Sequence, residues 1–290
     1  MLKSSRTQRL LSFTLKPLLL ALFVSLIFHW ISSPTLKKPP NPYPQLTKAL
    51  VIASTTSSNL SWLAPALQSS HWTPNIYTTD SPSSSASLSV PVNKGNEAMV
   101  YLTYIIDNYD SLPDVMFFHH DHAQAWHQRF PSAYELAHLN PRSVLEHGYL
   151  SPRCLPGCEN VIQLSGDVAP VHDLKGAPRD VQISSVLRAF GSEDDDVDGE
   201  WKLPEKIAAP CCAQFAVSRT AVLRRSVETW RALREWLVST DLDSRSSGRV
   251  LEYTWHIWFG MEAVYCPAEW QCLCDVFGVG VCPDTISPYF

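Results

Sequence analysis

Four apolar residues run straight into three histidines and an aspartate in Val115-Met-Phe-Phe-His-His-Asp-His122, and Trp126-His127 follows four residues on. Imidazole and carboxylate are the side chains that hold a divalent ion or move a proton near neutral pH. Alternate residues of an extended chain point the same way, so His120 and His122 could share one ion with Asp121 beside them. Two imidazoles and a carboxylate suit manganese or zinc. The same residues also fit a metal-free active site, with His127 as a proton carrier, or a polar loop whose histidines bond backbone. Trp126 fits either a stacking surface for a sugar or base or an anchor in the core.

Four other positions could serve that chemistry. Asn93 and Glu97 open a helical pattern, and a helix N-terminus with Lys94 beside it would draw a phosphate. The plainer reading is an N-cap with an acid in the first turn. Glu252 could take the proton of an acceptor hydroxyl, with Trp255, His256 and Trp258 as a pocket wall, or it could be a surface glutamate beside core tryptophans. Asp80, after a short strand pattern, could contact a ribose or base, or could close a turn.

The elements that must hold these residues follow from hydrophobic periodicity. Ala49–Ala53 and Asn75–Asp80 read as strands, Leu60–Leu67 as a short helix and residues 81–89 as a serine-rich insert. Asn93–Tyr109 reads as a helix and Val115–Phe118 as the buried strand that delivers the histidines. This order predicts an α/β domain with a mostly parallel, doubly wound sheet flanked by helices. Ligands bind beyond the carboxyl ends of such strands, where the cluster falls. Further on, Tyr134–Leu139, Val181–Phe190, Ser218–Val238 and Arg249–Phe259 read as helices, and Val161–Leu164 and Gln214–Val217 as strands. The charge run 193–198 lacks the glycine and ligand spacing of a calcium loop and reads as solvated.

The N-terminus reads as a targeting device. Lys3, Arg6, Arg9 and Lys16 precede an apolar run over residues 17–33, and a proline-rich stretch covers 34–48. Seventeen residues at about 1.5 Å each give roughly 25 Å, enough for a short bilayer span. The expected organisation is a cytosolic tail (1–16), a signal anchor (17–33), a stalk (34–48) and a lumenal domain (49–290). A cleaved signal peptide is the alternative. The eight cysteines all lie after residue 153. In a secretory lumen such an even set reads as disulfides, with a structural zinc as the rival. Asn59-Leu60-Ser61 is a glycosylation sequon that agrees with this placement. A net charge of −5 without a basic patch argues against nucleic acid as partner.

Several motifs occur in order: Asn93-Lys-Gly-Asn-Glu97 with Tyr101-Leu102, Leu112-Pro-Asp114, His120-x-His122 with Trp126-His127, and Gly148-Tyr149 with Arg153-Cys154. Cys212-x-Gln214-Phe215-x-Val217-Ser218-Arg219 and Glu252-x-x-Trp255 with Phe259-Gly260 follow. Over roughly residues 49–282 the chain resembles the fungal family catalogued as domain of unknown function 3431. That family's strand-end motif matches His120, His122 and His127 and leaves Asp121 at a variable position. It often has Gly-Arg-Glu where this chain has Gly95-Asn-Glu97, so no role for that arginine carries over. The resemblance brings no established activity.

More distantly, the layout is similar to glycosyltransferases of the A-type nucleotide-sugar-binding fold, many of them type II Golgi proteins. This likeness implies a nucleotide bound by the first half of the sheet, a metal near Asp121 clamping its diphosphate, and Glu252 facing the acceptor. The chain departs from it in carrying His119-His-Asp-His122 where an Asp-x-Asp belongs. The expectation is a single-pass protein of the Golgi or endoplasmic reticulum membrane that moves a sugar from a nucleotide donor to a hydroxyl of a glycan or metabolite. The alternatives are a histidine- or metal-dependent hydrolase or oxidoreductase of secreted metabolites, and a non-catalytic binding module.

Overall fold

The computed structural model describes residues 46–80, 88–191 and 202–282. The expected tail, anchor and most of the stalk, nearly all of the serine-rich insert and the charge run lie outside them. Among the described residues no helix is long and apolar enough to cross a membrane.

The first half runs β1 (Lys48–Ser54), α1 (Leu63–Ser70), β2 (Thr73–Thr78), α2 (Ala98–Asp107) and β3 (Val115–His120). Next come α3 (Ser132–His138), α4 (Pro141–His147), β4 (Tyr149–Leu150), β5 (Ile162–Gln163), α5 (Arg179–Phe190), β6 (Lys206–Ile207) and β7 (Phe215–Ser218). The chain continues through α6 (Arg219–Val222), α7 (Val227–Ser239), α8 (Ser244–Glu252), α9 (Trp255–Trp258) and α10 (Glu269–Phe277). Five strands form one sheet in the order β2-β1-β3-β7-β4. β1 is parallel to β2 and β3, whereas β7 runs antiparallel to β3 and β4. The sheet is therefore mixed, with its parallel half first in the chain. β5 and β6 pair only with each other, so the strand expected over 161–164 lies outside the main sheet.

Period-two alternation divides the core between the two faces of this sheet. Ala49, Val51, Met116, Phe118, Phe215 and Val217 point to one face, where α2, α7 and α8 pack. Leu50, Ile52, Val115, Phe117 and Ala216 point to the other, against α1, α3, α4 and α10. Both layers are dry: Phe117, Phe118 and Phe215 have no exposed surface. Helices on both faces are what a parallel sheet needs to bury both sides.

Several expected helices are cut. The single helix over 218–238 is two, because Ser218 caps α6 and Ser226, accepting from the Thr229 N–H at 3.2 Å, starts α7 afresh. The helix over 249–259 begins earlier, with Asp243 as N-cap, and breaks at Tyr253–Thr254 between α8 and α9. α4, started by the Asn140 cap and Pro141, and α10 have no counterpart among the sequence expectations. The eight cysteines form four disulfides, Cys154–Cys272, Cys158–Cys266, Cys211–Cys212 and Cys274–Cys282. Cys154–Cys272 ties the segment leaving β4 to α10.

Candidate functional site

The strand order places a switch point between β1 and β3, since the chain leaves β1 for β2 on one side and returns to β3 on the other. In open α/β sheets a crevice forms at such a point, outside the carboxyl ends of the strands. A cavity of about 340 Å³ lies there. Ala53, Ser54 and Thr55 at the end of β1, Thr79 after β2, and His120, Asp121 and His122 at the end of β3 form one side of its lining. Asn93, Asn96 and Glu97 close the other. A second basin of about 500 Å³ shares Thr55, Asp121 and His122 and adds Ser58, Asn59 and Trp62.

The turn before α2 explains how Glu97 reaches this cavity. Gly95 and Asn96 both take positive φ, 73° and 53°. A Cβ on Gly95 would meet Leu237 Cδ1 at 2.6 Å, and one on Gly248 would meet the Gly95 carbonyl oxygen at 2.8 Å. The turn thus lies directly on α8, backbone against backbone, and the Gly95 N–H donates to Ser244 Oγ at 3.0 Å. α2 starts only at Ala98, so Asn93 is not its N-cap. Lys94 is not a phosphate ligand in this arrangement: its ammonium donates to the Val238 and Thr240 carbonyls at the end of α7.

Glu97, in the cavity lining, feels the charge of Glu252 on α8. Burial, and secondarily the Glu252 charge, push the Glu97 carboxyl up to about 7. Burial also raises Glu252, while the Cys212 N–H, donating to its Oε1 at 3.0 Å, and then Arg249 and Arg179 pull it back. Glu252 does not line the cavity itself. A carboxyl raised to about 7 holds its proton in part at neutral pH.

His120 is a neutral imidazole. Burial first, and then His119, His127 and His122, hold it down to about 3, against a bond from its ring to the Cys212 backbone. Its Nε2 is buried without a hydrogen-bond partner. A buried orphan nitrogen is costly unless a ligand or water completes it, and His120 lines the cavity. The ring stands edge-on to His127, centroids 5.2 Å apart. His127 is buried and held down to about 4, mainly by burial and then by Arg153.

The expected sharing of one ion by His120 and His122 rests on alternation, and β3 ends at His120. Beyond it Asp121 accepts a hydrogen bond from Ser58 Oγ, and Trp62 Nε1 donates to the Asp121 carbonyl at 2.9 Å. His122 turns outward and pairs with Asp121 at 3.3 Å. Among the described residues no three His, Cys, Asp or Glu side chains are grouped to hold an ion. Asp80 does not line the cavity; its carboxylate accepts from the Thr56 N–H and hydroxyl, both at 2.8 Å, and pins the loop after β1. Trp126 is no core anchor: it is 86% exposed, with the Arg153 guanidinium 5.6 Å from its ring centroid.

Two features escaped the sequence reading. His119, one residue before His120, points to the opposite face and is fully buried, its Nε2 3.0 Å from Glu135 Oε2 and its Nδ1 2.7 Å from the His120 carbonyl. Both ring nitrogens thus face oxygens inside the fold. The second is the bond between adjacent Cys211 and Cys212. Cys212 and Ala213 both have positive φ, 85° and 49°, a conformation that costs roughly 1–3 kcal/mol per non-glycine residue. A consecutive Cys-Cys pair just before a buried strand was the available signal.

Fold and site together define an α/β protein with a carboxyl-lined cleft at the switch point of its sheet. The family model for a protein of unknown function, DUF3431, matches residues 50–275, and the chain belongs to that family. No curated protein and no solved structure matches it.

Proposed function

We propose that the chain is a glycosyltransferase-like enzyme that moves a sugar from a nucleotide donor to an acceptor hydroxyl. One observation carries this reading: the cavity at the carboxyl ends of β1 and β3 brings His120, Asp121, Asn93 and Glu97 into one lining, with the Glu252 charge acting on Glu97. Its volume of about 340 Å³, continuous in lining with the neighbouring basin, falls in the range of small-ligand sites. The hydroxyls of Ser54, Thr55 and Thr79 and the amides of Asn93 and Asn96 suit a ribose or sugar. The Glu97–Glu252 pair supplies an acceptor for the hydroxyl proton, and neutral His120 offers Nε2 as a hydrogen-bond partner. No step is assigned to a metal, because the described residues do not group around one. The disulfides fit a lumenal setting, with the domain held to a Golgi or endoplasmic reticulum membrane by residues 17–33.

A second reading is favoured by the same acid pair. One carboxyl protonated near pH 7 beside a second is what glycosidic hydrolysis requires of its acid and base. The test is a thermal-shift and product screen of the folded protein against nucleotide sugars, with and without manganese. A raised melting temperature with release of nucleotide to an added hydroxyl acceptor is the expected result. No stabilisation by any nucleotide sugar, with free sugar released from oligosaccharides, would replace transfer by hydrolysis.

A further inference from the structure

Three of the disulfides span 118, 108 and 8 residues, whereas Cys211–Cys212 joins neighbours. A disulfide stabilises chiefly by closing a loop of the unfolded chain, and this one closes none. It is nonetheless held from both sides. The Cys211 N–H donates to Glu159 Oε2 at 3.4 Å, and Arg153 grips the same Glu159 through two N–H groups at 2.6 and 2.7 Å. The Cys212 N–H donates to Glu252 Oε1 at 3.0 Å, and the Cys212 backbone also bonds the His120 ring. Positive φ at Cys212 and Ala213 completes a segment that only its surroundings keep in this shape. Both cysteines are half-buried, in contrast to the buried Cys154, Cys272 and Cys274.

We propose that Cys211–Cys212 is a redox-active site whose oxidised form holds Glu252 and His120 in place, and whose reducing partner is a dithiol carrier. The exchange balances simply. One carrier thiolate attacks a cysteine sulfur and breaks the Cys211–Cys212 bond, forming a mixed disulfide. The carrier's second thiol then displaces that cysteine and leaves as an intramolecular disulfide. Two electrons and two protons have passed to the pair, which ends as two thiols. Freed of the bond, residues 211–213 relax to ordinary backbone angles, and the Cys212 N–H leaves Glu252. The wall of the cleft then loses the contact that fixes its acid and its histidine together. This inference does not rest on the sugar-transfer reading, since any chemistry at the cleft would feel the same release.

The test uses the folded full chain, graded dithiothreitol, trapping of thiols with iodoacetamide, and peptide mapping, with amide hydrogen exchange on the same samples. Cys211 and Cys212 should be trapped at lower reductant than Cys154 and Cys272. Exchange should then rise at least tenfold over residues 211–214 and around Glu252, with the β1–β3 core unchanged. A Cys211→Ser/Cys212→Ser variant should show the raised exchange without reductant and no further response to it. Should that variant not fold, the wild-type titration decides alone. If Cys211–Cys212 outlasts the buried pairs, or opens without a change in exchange beside Glu252, the proposal is overturned. Opening of only the exposed Cys158 and its partner Cys266 would overturn it equally.

Discussion

His119 and His120 are neighbours of one residue type on one strand, and they live on opposite sides of the sheet. His119 goes to the layer of Phe117 and Leu136, sealed from solvent and bonded at both ring nitrogens. His120 goes to the layer of Met116 and Phe118, ends at the cavity and leaves Nε2 without a partner. The contrast shows that a residue's type sets what it can do, while the pleat sets whether it is spent on folding or left for a ligand. A histidine bonded at both nitrogens in the core specifies structure; one with an unpartnered nitrogen beside a cleft is open to a ligand.

The contrast breaks or sharpens under substitution. His119→Ala should have the largest effect, because it leaves the buried Glu135 carboxyl with only the Gln128 amide as partner. Removing one partner of a buried ion pair costs about 3–5 kcal/mol, and urea unfolding should show a midpoint lowered accordingly. An unchanged midpoint would mean that His119 is not a folding residue. His120→Ala should lower turnover or ligand binding at least ~100-fold, about 2.7 kcal/mol, while stability falls by less than ~1 kcal/mol. Wild-type binding with a lowered melting temperature would place His120 on the structural side with its neighbour.

Glu97 tests the cleft side by pH. Its carboxyl lies at about 7 against an ordinary 4.5, so the folded state binds the proton more tightly than the unfolded chain. Its contribution is therefore full below 4.5 and lost as pH rises from there through about 7. Glu97→Gln, which stays neutral, should be more stable than wild type at pH 8 by on the order of 1–2 kcal/mol and equal to it near pH 4. Parallel melting curves across that range would remove the buried acid from the account. The smallest effect belongs to Trp126→Ala, within about 0.5 kcal/mol of wild type in stability because the ring is exposed. A change confined to acceptor affinity would show that its open face stacks on substrate.

The first half of the fold was legible because its strands are apolar runs and its helix carries a clean three-and-four spacing from Ala98 to Ile106. The cavity wall was legible for the same reason: His120, Asp121, Asn93 and Glu97 sit where two strands end and a helix begins. Beyond residue 131 many elements are short, and several helices start at single capping side chains, Asn140, Ser218, Ser226 and Asp243, so that periodicity over three or four residues carries little information. His122 also lines the cavity, but alternation did not fix its direction: β3 stops at His120, and the side chain beyond it is mostly exposed and paired with Asp121. His119 was missed because its partner Glu135 is sixteen residues away on a helix whose packing no spacing announces.

The contact of Gly95 with Gly248 has a mechanical consequence. Glu97 rides on the turn and Glu252 on the helix, and the two supports touch through main chain with no side chain between them. The spacing of the two backbones that carry the acids is accordingly set by a hard stop, and only the side chains are left to adjust to a ligand. A ligand that shifts the turn must carry the helix with it.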